Sequence, residues 1–159
     1  IEMKRQQSGF TMIELIMVIV ILGILAAFAL PRFADFSGQA RTSTVEGMAG
    51  ALRSAAAIAH AAQLASANST GATSVTLEGQ TVTMVDGYPT ANAAGIGAAV
   101  QIDGFTLSTG GTAAGDAITF TPNGFTGTNC LATYTAADSA NAAATARVSR
   151  VTTTTTGCN

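Results

Sequence analysis

One carboxylate stands inside a long apolar run near the start of the chain. The segment Phe10–Leu30 carries a single charged residue, Glu14. A carboxylate near the edge of a bilayer costs several kcal/mol unless it is protonated or paired. Cutting the chain between Gly9 and Phe10 would create an α-amino group four residues before Glu14, and residues at i and i+4 face each other on a helix. The spacing therefore predicts a carboxylate that gains its cation only after processing.

The same carboxylate can serve a neighbouring chain. If adjacent helices are staggered by about one turn, Glu14 of one chain reaches the new amine of the next. Processing would then be coupled to assembly, because the cation does not exist before the cut.

The apolar run is long enough to cross a membrane. At about 1.5 Å per residue, a helix over Phe10–Leu30 spans roughly 30 Å, the thickness of a bilayer core. Lys4 and Arg5 would keep the preceding residues on the cytoplasmic side. A secretory signal peptide would be cut after the apolar stretch instead. The length of the run and the charge inside it oppose that alternative, while a plain anchor leaves Glu14 unexplained.

Two residues weaken the helix in the second part of this run. Gly23 is a poor helix former, and Pro31 cannot donate a hydrogen bond to the carbonyl group of Ala27. Transmembrane helices tolerate a simple kink at such positions. The stretch between Gly23 and Pro31 is predicted to be the weakest part of the helix.

The six residues Gly9-Phe10-Thr11-Met12-Ile13-Glu14 resemble the processing motif of type IV pilins and pseudopilins. The resemblance implies that a prepilin peptidase removes leader residues 1–9 and methylates the new amine of Phe10, and that Glu14 is the assembly carboxylate. The short leader is similar to that of the type IVa branch. The family also carries helix-weakening residues where Gly23 and Pro31 stand, which implies that this segment unwinds when the subunit moves from the bilayer into the filament.

Beyond Pro31 the sequence predicts a continued, amphipathic helix. Apolar residues recur with gaps of three and four, which is typical of one buried helix face. The break at Asn68-Ser69-Thr70-Gly71 predicts a helix end near Ala67. Residues 10–31 therefore form the membrane or filament-core part and residues 32–67 the amphipathic part. The stripe consists of Val45, Met48, Leu52, Ala55, Ala59 and Ala62.

Residues 68–159 are predicted to form a β-rich head. Val75–Leu77 and Val82–Met84 alternate around a turn and indicate a hairpin. Asp86–Pro89 is a turn signal, and residues 93–101 are predicted to be a short helical or irregular connection. One long helix followed by an antiparallel sheet is an α+β arrangement, as the type IV pilin fold has. Further strands are predicted near Gly104–Ser108, Ala117–Thr121, Cys130–Thr135 and Ala146–Thr152.

The two cysteines, Cys130 and Cys158, lie in the last third of the chain. An even count in an exported domain favours a disulfide over two separate thiols. His60 is the only histidine and has no metal-ligand type at i±3 or i±4, so it is predicted to be a surface or half-buried helix residue. We expect no metal site, no cofactor and no catalytic centre.

Parts of the chain beyond Pro31 resemble one branch of the pilins. Leu77–Val82, Gly87-Tyr88-Pro89, Ser43–Met48 and the two cysteines are similar to mannose-sensitive haemagglutinin pilins. This resemblance implies that the loop 130–158 lies on the surface and shapes adhesion, with a surface or a glycan as receptor.

The charge balance argues against nucleic acid as a partner. Without residues 1–9, five arginines and no lysine stand against eight acids, since Lys4, Arg5 and Glu2 are lost from seven cations and nine acids. A phosphate backbone needs clustered cations. We predict a structural, self-polymerising subunit of a type IVa pilus, and the major component of a filament that serves attachment and motility. The precursor is expected in the inner membrane of a Gram-negative bacterium and the assembled filament outside the cell. A type II secretion pseudopilin and a minor pilin with a binding role are the alternatives.

Overall fold

The computed structural model describes residues 9–66 and 73–159. They fall into two compact units that divide between Ser37 and Gly38. The predicted helix break at Asn68–Gly71 and most of leader residues 1–9 lie outside the described residues. The elements, in chain order, are α1 (Met12–Ala65), β1 (Ser74–Leu77), β2 (Gln80–Val85), β3 (Tyr88–Pro89), α2 (Ile96–Ala99), β4 (Phe105–Leu107), β5 (Ala117–Pro122), β6 (Leu131–Thr135), a 3₁₀ turn (Ala144–Ala146) and β7 (Arg150–Thr154).

The long helix α1 ends at Ala65, two residues before the predicted end. In the second unit it presents an apolar stripe to the head. Five of the six predicted stripe residues are buried, and Ala62 is half-buried. Ala49 and Ala56 are buried beside them, so the buried face is broader than the predicted stripe. Because most of these residues are small, strands can approach the helix closely. The buried five are Val45, Met48, Leu52, Ala55 and Ala59.

A four-stranded antiparallel sheet packs on this face of the helix. Its strand order is β4-β5-β6-β7. Side chains alternate between the two faces of a strand, so every second residue of β5 and β6 reaches the core. Ile118, Phe120 and Tyr134 are fully buried and share one core cluster with Leu52 of the helix. The predicted α+β arrangement is thus confirmed.

A smaller three-stranded sheet has the order β1-β2-β3. The predicted hairpin is confirmed, since β1 pairs with β2 from Ser74↔Thr83 to Leu77↔Gln80. Its two-residue turn has φ of 48° at Glu78 and 84° at Gly79. The second turn is shorter than the predicted Asp86–Pro89. Only Asp86 and Gly87 form the turn, and Tyr88 already begins β3.

The last strand differs from the prediction. The strand expected over Ala146–Thr152 begins only at Arg150 and continues to Thr154. Ala144–Ala146 forms a 3₁₀ turn, and Arg147 keeps a helical backbone conformation with φ of −74° and ψ of −8°. The connection predicted over residues 93–101 contains the single helical turn α2.

A buried tyrosine connects the two sheets. The hydroxyl of Tyr134, in β6, donates a hydrogen bond of 2.7 Å to the carbonyl oxygen of Pro89, in β3. Burial raises the pKa of Tyr134 above its ordinary value, since the phenolate would lose its hydration. The neutral hydroxyl satisfies a carbonyl group that would otherwise be buried without a donor.

The predicted disulfide is confirmed. Cys130 and Cys158 are bonded, both are buried in the main core, and their Cα atoms are 4.7 Å apart. The guanidinium group of Arg41 donates to the carbonyl oxygen of Cys158 at 3.3 Å and lies 5.6 Å from the ring centre of Phe125. The end of the chain is therefore fastened both to β6 and to the helix.

Replacing Cys130 and Cys158 together by serine should destabilise the head. The bridge closes a loop with a sequence separation of 28 residues, and its loss should cost about 3–4 kcal/mol by the chain-entropy model. Chemical denaturation of the full chain in detergent measures the free energy of unfolding. Reduction of the unchanged chain should give the same loss as the double substitution. Equal stability of the oxidised and reduced chains would contradict the prediction.

Candidate assembly site

The start of α1 is a reciprocal cap between Thr11 and Glu14. The carboxylate oxygen Oε2 of Glu14 accepts from the backbone N–H of Thr11 at 2.8 Å and from its hydroxyl group at 2.7 Å. The backbone N–H of Glu14 lies 3.4 Å from the Oγ1 atom of Thr11. This is the capping-box arrangement, in which two otherwise unpaired helix donors are satisfied by two side chains.

The cap gives Glu14 a partner before the Phe10 amine is formed. The carboxylate is predicted from its charge alone to be unpaired until processing, whereas Thr11 already binds one of its oxygens. The pattern Thr-x-x-Glu before an apolar run was readable as a capping box and would have predicted the contact. The other oxygen, Oε1, makes no hydrogen bond to any residue that the structure describes.

The first unit exposes its apolar surface. From Phe10 to Leu30 the large apolar side chains are between 49% and 91% exposed. Within the described residues, α1 is the one helix that is long and apolar enough to cross a membrane by length and composition. An exposed apolar surface of this extent indicates a lipid or protein partner, because soluble monomers rarely present one.

The two helix-weakening residues both lie inside α1. The helix includes Pro31 and passes Gly23 without interruption. A Cβ atom at Gly23 would meet nothing within 4 Å. No close contact among the described residues of this unit therefore requires a glycine at position 23. Its low helix propensity is the property that remains to account for it.

The single histidine has a structural environment. Its Nδ1 atom lies 2.6 Å from the carbonyl oxygen of Gly87, so that nitrogen donates. Its ring is stacked on Tyr88 at a centroid distance of 4.2 Å. His60 is half-buried, as predicted, and it contacts the turn before β3. In the part of the chain that the structure describes, no three His, Cys, Asp or Glu side chains are grouped to hold a metal.

The N-terminal part of the chain is similar to a known protein family. Residues 4–30 match the family model described as the prokaryotic N-terminal methylation motif. This match includes the leader boundary, Glu14 and Gly23. No solved structure matches the chain closely enough to count as a relative.

Several curated proteins are similar to this chain. The fimbrial protein EcpC of Eikenella corrodens is 33% identical over 120 residues, which cover 70% of this chain and 78% of EcpC. The type IV narrow pilus major component PilA5 of Thermus thermophilus is 58% identical over 52 residues, 33% of this chain and 45% of PilA5. The type IV major fimbrial protein FimA of Dichelobacter nodosus is 43% identical over 53 residues, 33% of this chain and 34% of FimA.

The matched part of the chain thus spans less than half the length of PilA5 and of FimA. The match to EcpC spans more than two thirds of both chains. This chain belongs to the type IV pilin family.

Proposed function

We propose that this chain is the structural subunit, and the major pilin, of a type IVa pilus filament. One observation carries the proposal: the apolar half of α1 is exposed along its whole length and begins at a capped carboxylate. Such a helix needs lipid or other copies of itself around it. The names of PilA5 and FimA, as major components of type IV pili or fimbriae, support the same function.

Processing comes first in this proposal. A prepilin peptidase cuts after Gly9 and the amine of Phe10 is methylated, which agrees with the methylation motif over residues 4–30. Phe10 is 91% exposed, so its backbone is accessible to an enzyme. The cut turns an uncharged peptide nitrogen into a cation at the start of α1.

Assembly then uses the free oxygen of Glu14. Thr11 holds Oε2, and Oε1 is available for the amine of Phe10, on the same chain or on its neighbour in the filament. A charge-assisted hydrogen bond of this kind is roughly twice as strong as a neutral one. Because the cap fixes the carboxylate, less side-chain entropy is lost when the pair forms.

Partners and location follow from these steps. The precursor resides in the inner membrane of a Gram-negative bacterium, and the assembly machinery moves the processed chain into an extracellular homopolymer. Attachment to surfaces or glycans, with motility as a second use, belongs to this proposal, as does membership of the mannose-sensitive haemagglutinin branch. No nucleic acid is expected as a ligand, because residues 10–159 contain only five arginines and no lysine.

A catalytic role is not proposed. The chain's one histidine is occupied by Gly87 and Tyr88, and the matched proteins bear the names of structural pilins. A pseudopilin of a secretion machine would share the processing motif. The disulfide-bounded loop 130–158 favours a pilin over that alternative.

Mass spectrometry of sheared surface filaments should detect this chain as the main component, beginning at a methylated Phe10. The reason is that the filament core requires the processed helix. A matched membrane fraction should contain the unprocessed form as well. Filaments whose subunits still begin at Met3 would contradict processing, and the absence of this chain from surface filaments would contradict the whole proposal.

Replacement of Glu14 by glutamine separates the cap from the charge. Glutamine can keep the bond to the backbone of Thr11, since it is accepted in a capping box, but it cannot pair with a cation. We expect Glu14→Gln and Glu14→Ala to leave the chain in the membrane and to abolish normal filaments. Thr11→Val removes only the hydroxyl group and should retain filaments. Wild-type filament abundance with Glu14→Gln, measured by immunoblot of sheared fractions, would refute the pairing.

Unwinding of the segment from Gly23 to Pro31 stays a proposal about the filament state. The helix through this segment lacks one backbone hydrogen bond at Pro31 and has a poor helix former at Gly23. Cryo-electron microscopy of assembled filaments should resolve non-helical backbone here, because lipid offers no hydrogen-bond partner to an unwound backbone whereas neighbouring protein can. Continuous helix from Gly23 to Pro31 in the filament would contradict it.

A further inference from the structure

Glu78 occupies an unusual backbone position at the tip of the β1–β2 hairpin. Its φ is 48°, in the left-handed region that glycine, asparagine and aspartate adopt most readily. The second tight turn of the same sheet uses aspartate at the equivalent position, with φ of 48° at Asp86. The hairpin therefore has a longer acidic side chain where a shorter one would strain the turn less.

The two acidic turn residues differ in their contacts. The carboxylate of Asp86 accepts a hydrogen bond of 2.8 Å from the backbone N–H of Ser139, so it has a role inside the head. Glu78 is exposed and makes no hydrogen bond or ion pair with any residue that the structure describes. The carboxylate of Glu78 is therefore free to pair with a group of another molecule.

Glu78 also lies at the rim of an apolar groove. The groove has a volume of about 340 Å³ and lies between α1, the hairpin and α2. Ile58 of α1 is 60% exposed there. The rest of the lining is mainly apolar, with two glutamines, and consists of Leu77, Gln80, Ala98, Ala99, Val100 and Gln101.

A second surface of the head, next to β7, combines an exposed apolar side chain with a positive charge. Val148 is 45% exposed and stands between Arg147 and Arg150, just before β7 begins. Arg147 donates to the carbonyl oxygen of Asn141, whereas the exposed side chain of Arg150 has no hydrogen bond or ion pair with any described residue. Val148 and the cation of Arg150 are therefore complementary, in polarity and in charge, to the apolar groove and the carboxylate of Glu78.

The two surfaces lie on different sides of α1. Arg53 of α1 donates to the carbonyl oxygen of Val151 at 3.2 Å, which places β7 beside that part of the helix. Ile58 is five residues further on, or about 140° around a helix of 3.6 residues per turn. A contact between one such surface and the other on a second copy is heterologous, and heterologous contacts build rings or open helical polymers.

We propose that residues 147–150 of a second copy of this chain dock in the groove beside Glu78. Val148 of one copy covers Ile58 of the other, and Arg150 pairs with Glu78. The proposal rests on the proposed polymerisation and adds to it a heterologous contact between the heads of two neighbouring subunits. Three other acids of the head, Asp86, Asp116 and Asp138, already accept backbone N–H groups within the chain. The remaining one, Asp103, is exposed but does not line the groove.

A charge exchange tests the pairing directly. Glu78→Arg and Arg150→Glu should each lower the ratio of sheared filaments to membrane-retained chain about fivefold, the upper range for an exposed ion pair. The double variant Glu78→Arg/Arg150→Glu should recover most of the wild-type ratio. Glu46 is an exposed acid of α1 away from the groove, so Glu46→Arg/Arg150→Glu is the matched control and should not recover. A double variant no better than either single one would overturn the pairing.

Glu78→Asn distinguishes an interface role from a structural one. Asparagine suits the left-handed position better, so the full chain in detergent should unfold at a higher temperature than the wild type. The same variant lacks the carboxylate, and its filament ratio should fall as that of Glu78→Arg does. Unchanged filaments in Glu78→Asn would overturn the proposal.

Filament counts distinguish failure of the head contact from failure of polymerisation. If wild-type cells carry filaments of this chain and the Glu78 and Arg150 variants match them, the head contact is wrong and polymerisation stands. If wild-type cells carry no filament that contains this chain, the proposed function and the head contact both fail.

Discussion

The apolar half of α1 has no partner inside its own unit, and this constraint governs the rest of the molecule. Its large side chains from Phe10 to Leu30 are at least 49% exposed, so water is an unfavourable environment for most of the helix surface. A chain with such a surface needs lipid at one time and protein at another. Glu14 bears the consequence, because it is the one acid in this run and must be satisfied in both surroundings. The Thr11 cap meets that need before any second chain is present.

The head solves a different problem, since it must become stable with few large apolar residues. Alanine and valine positions of α1 allow the strands to approach, and Phe120, Ile118 and Tyr134 fill the space between helix and sheet. The disulfide then fastens the end of the chain to β6, and Tyr134 connects the larger sheet to β3. Stability therefore comes from a few large side chains and two cross-connections rather than from an extensive core.

Charge is sparse in this chain, and its placement is informative. The described residues form no ion pair within the chain. Several acids bind backbone N–H groups, and Arg41, Arg53 and Arg147 bind carbonyl oxygens. Unpaired charges are thus left at exposed positions such as Glu78 and Arg150. In a homopolymer the same surface recurs on every subunit, so one complementary pair is repeated along the filament.

The amino-acid sequence by itself determined the elements whose signals are local. A repeat of apolar residues at gaps of three and four marks the buried stripe of α1, alternation marks the hairpin from Ser74 to Val85, and the motif from Gly9 to Glu14 indicates the family. The even cysteine count was sufficient for the bridge between Cys130 and Cys158. Processing and the filament role of Gly23 and Pro31 remain predictions, because they concern states with other molecules present.

Only the tertiary structure decided which polar groups are paired and which are left over. The predicted start of β7 at Ala146 is wrong. Residues 144–147 have a helical backbone, and nothing in their Ala- and Thr-rich sequence predicts it. Glu78 and Asp86 look alike in sequence, yet Asp86 binds the N–H of Ser139, 53 residues away, and Glu78 binds no described residue. Such distinctions depend on contacts between residues distant in the chain, which local patterns cannot encode.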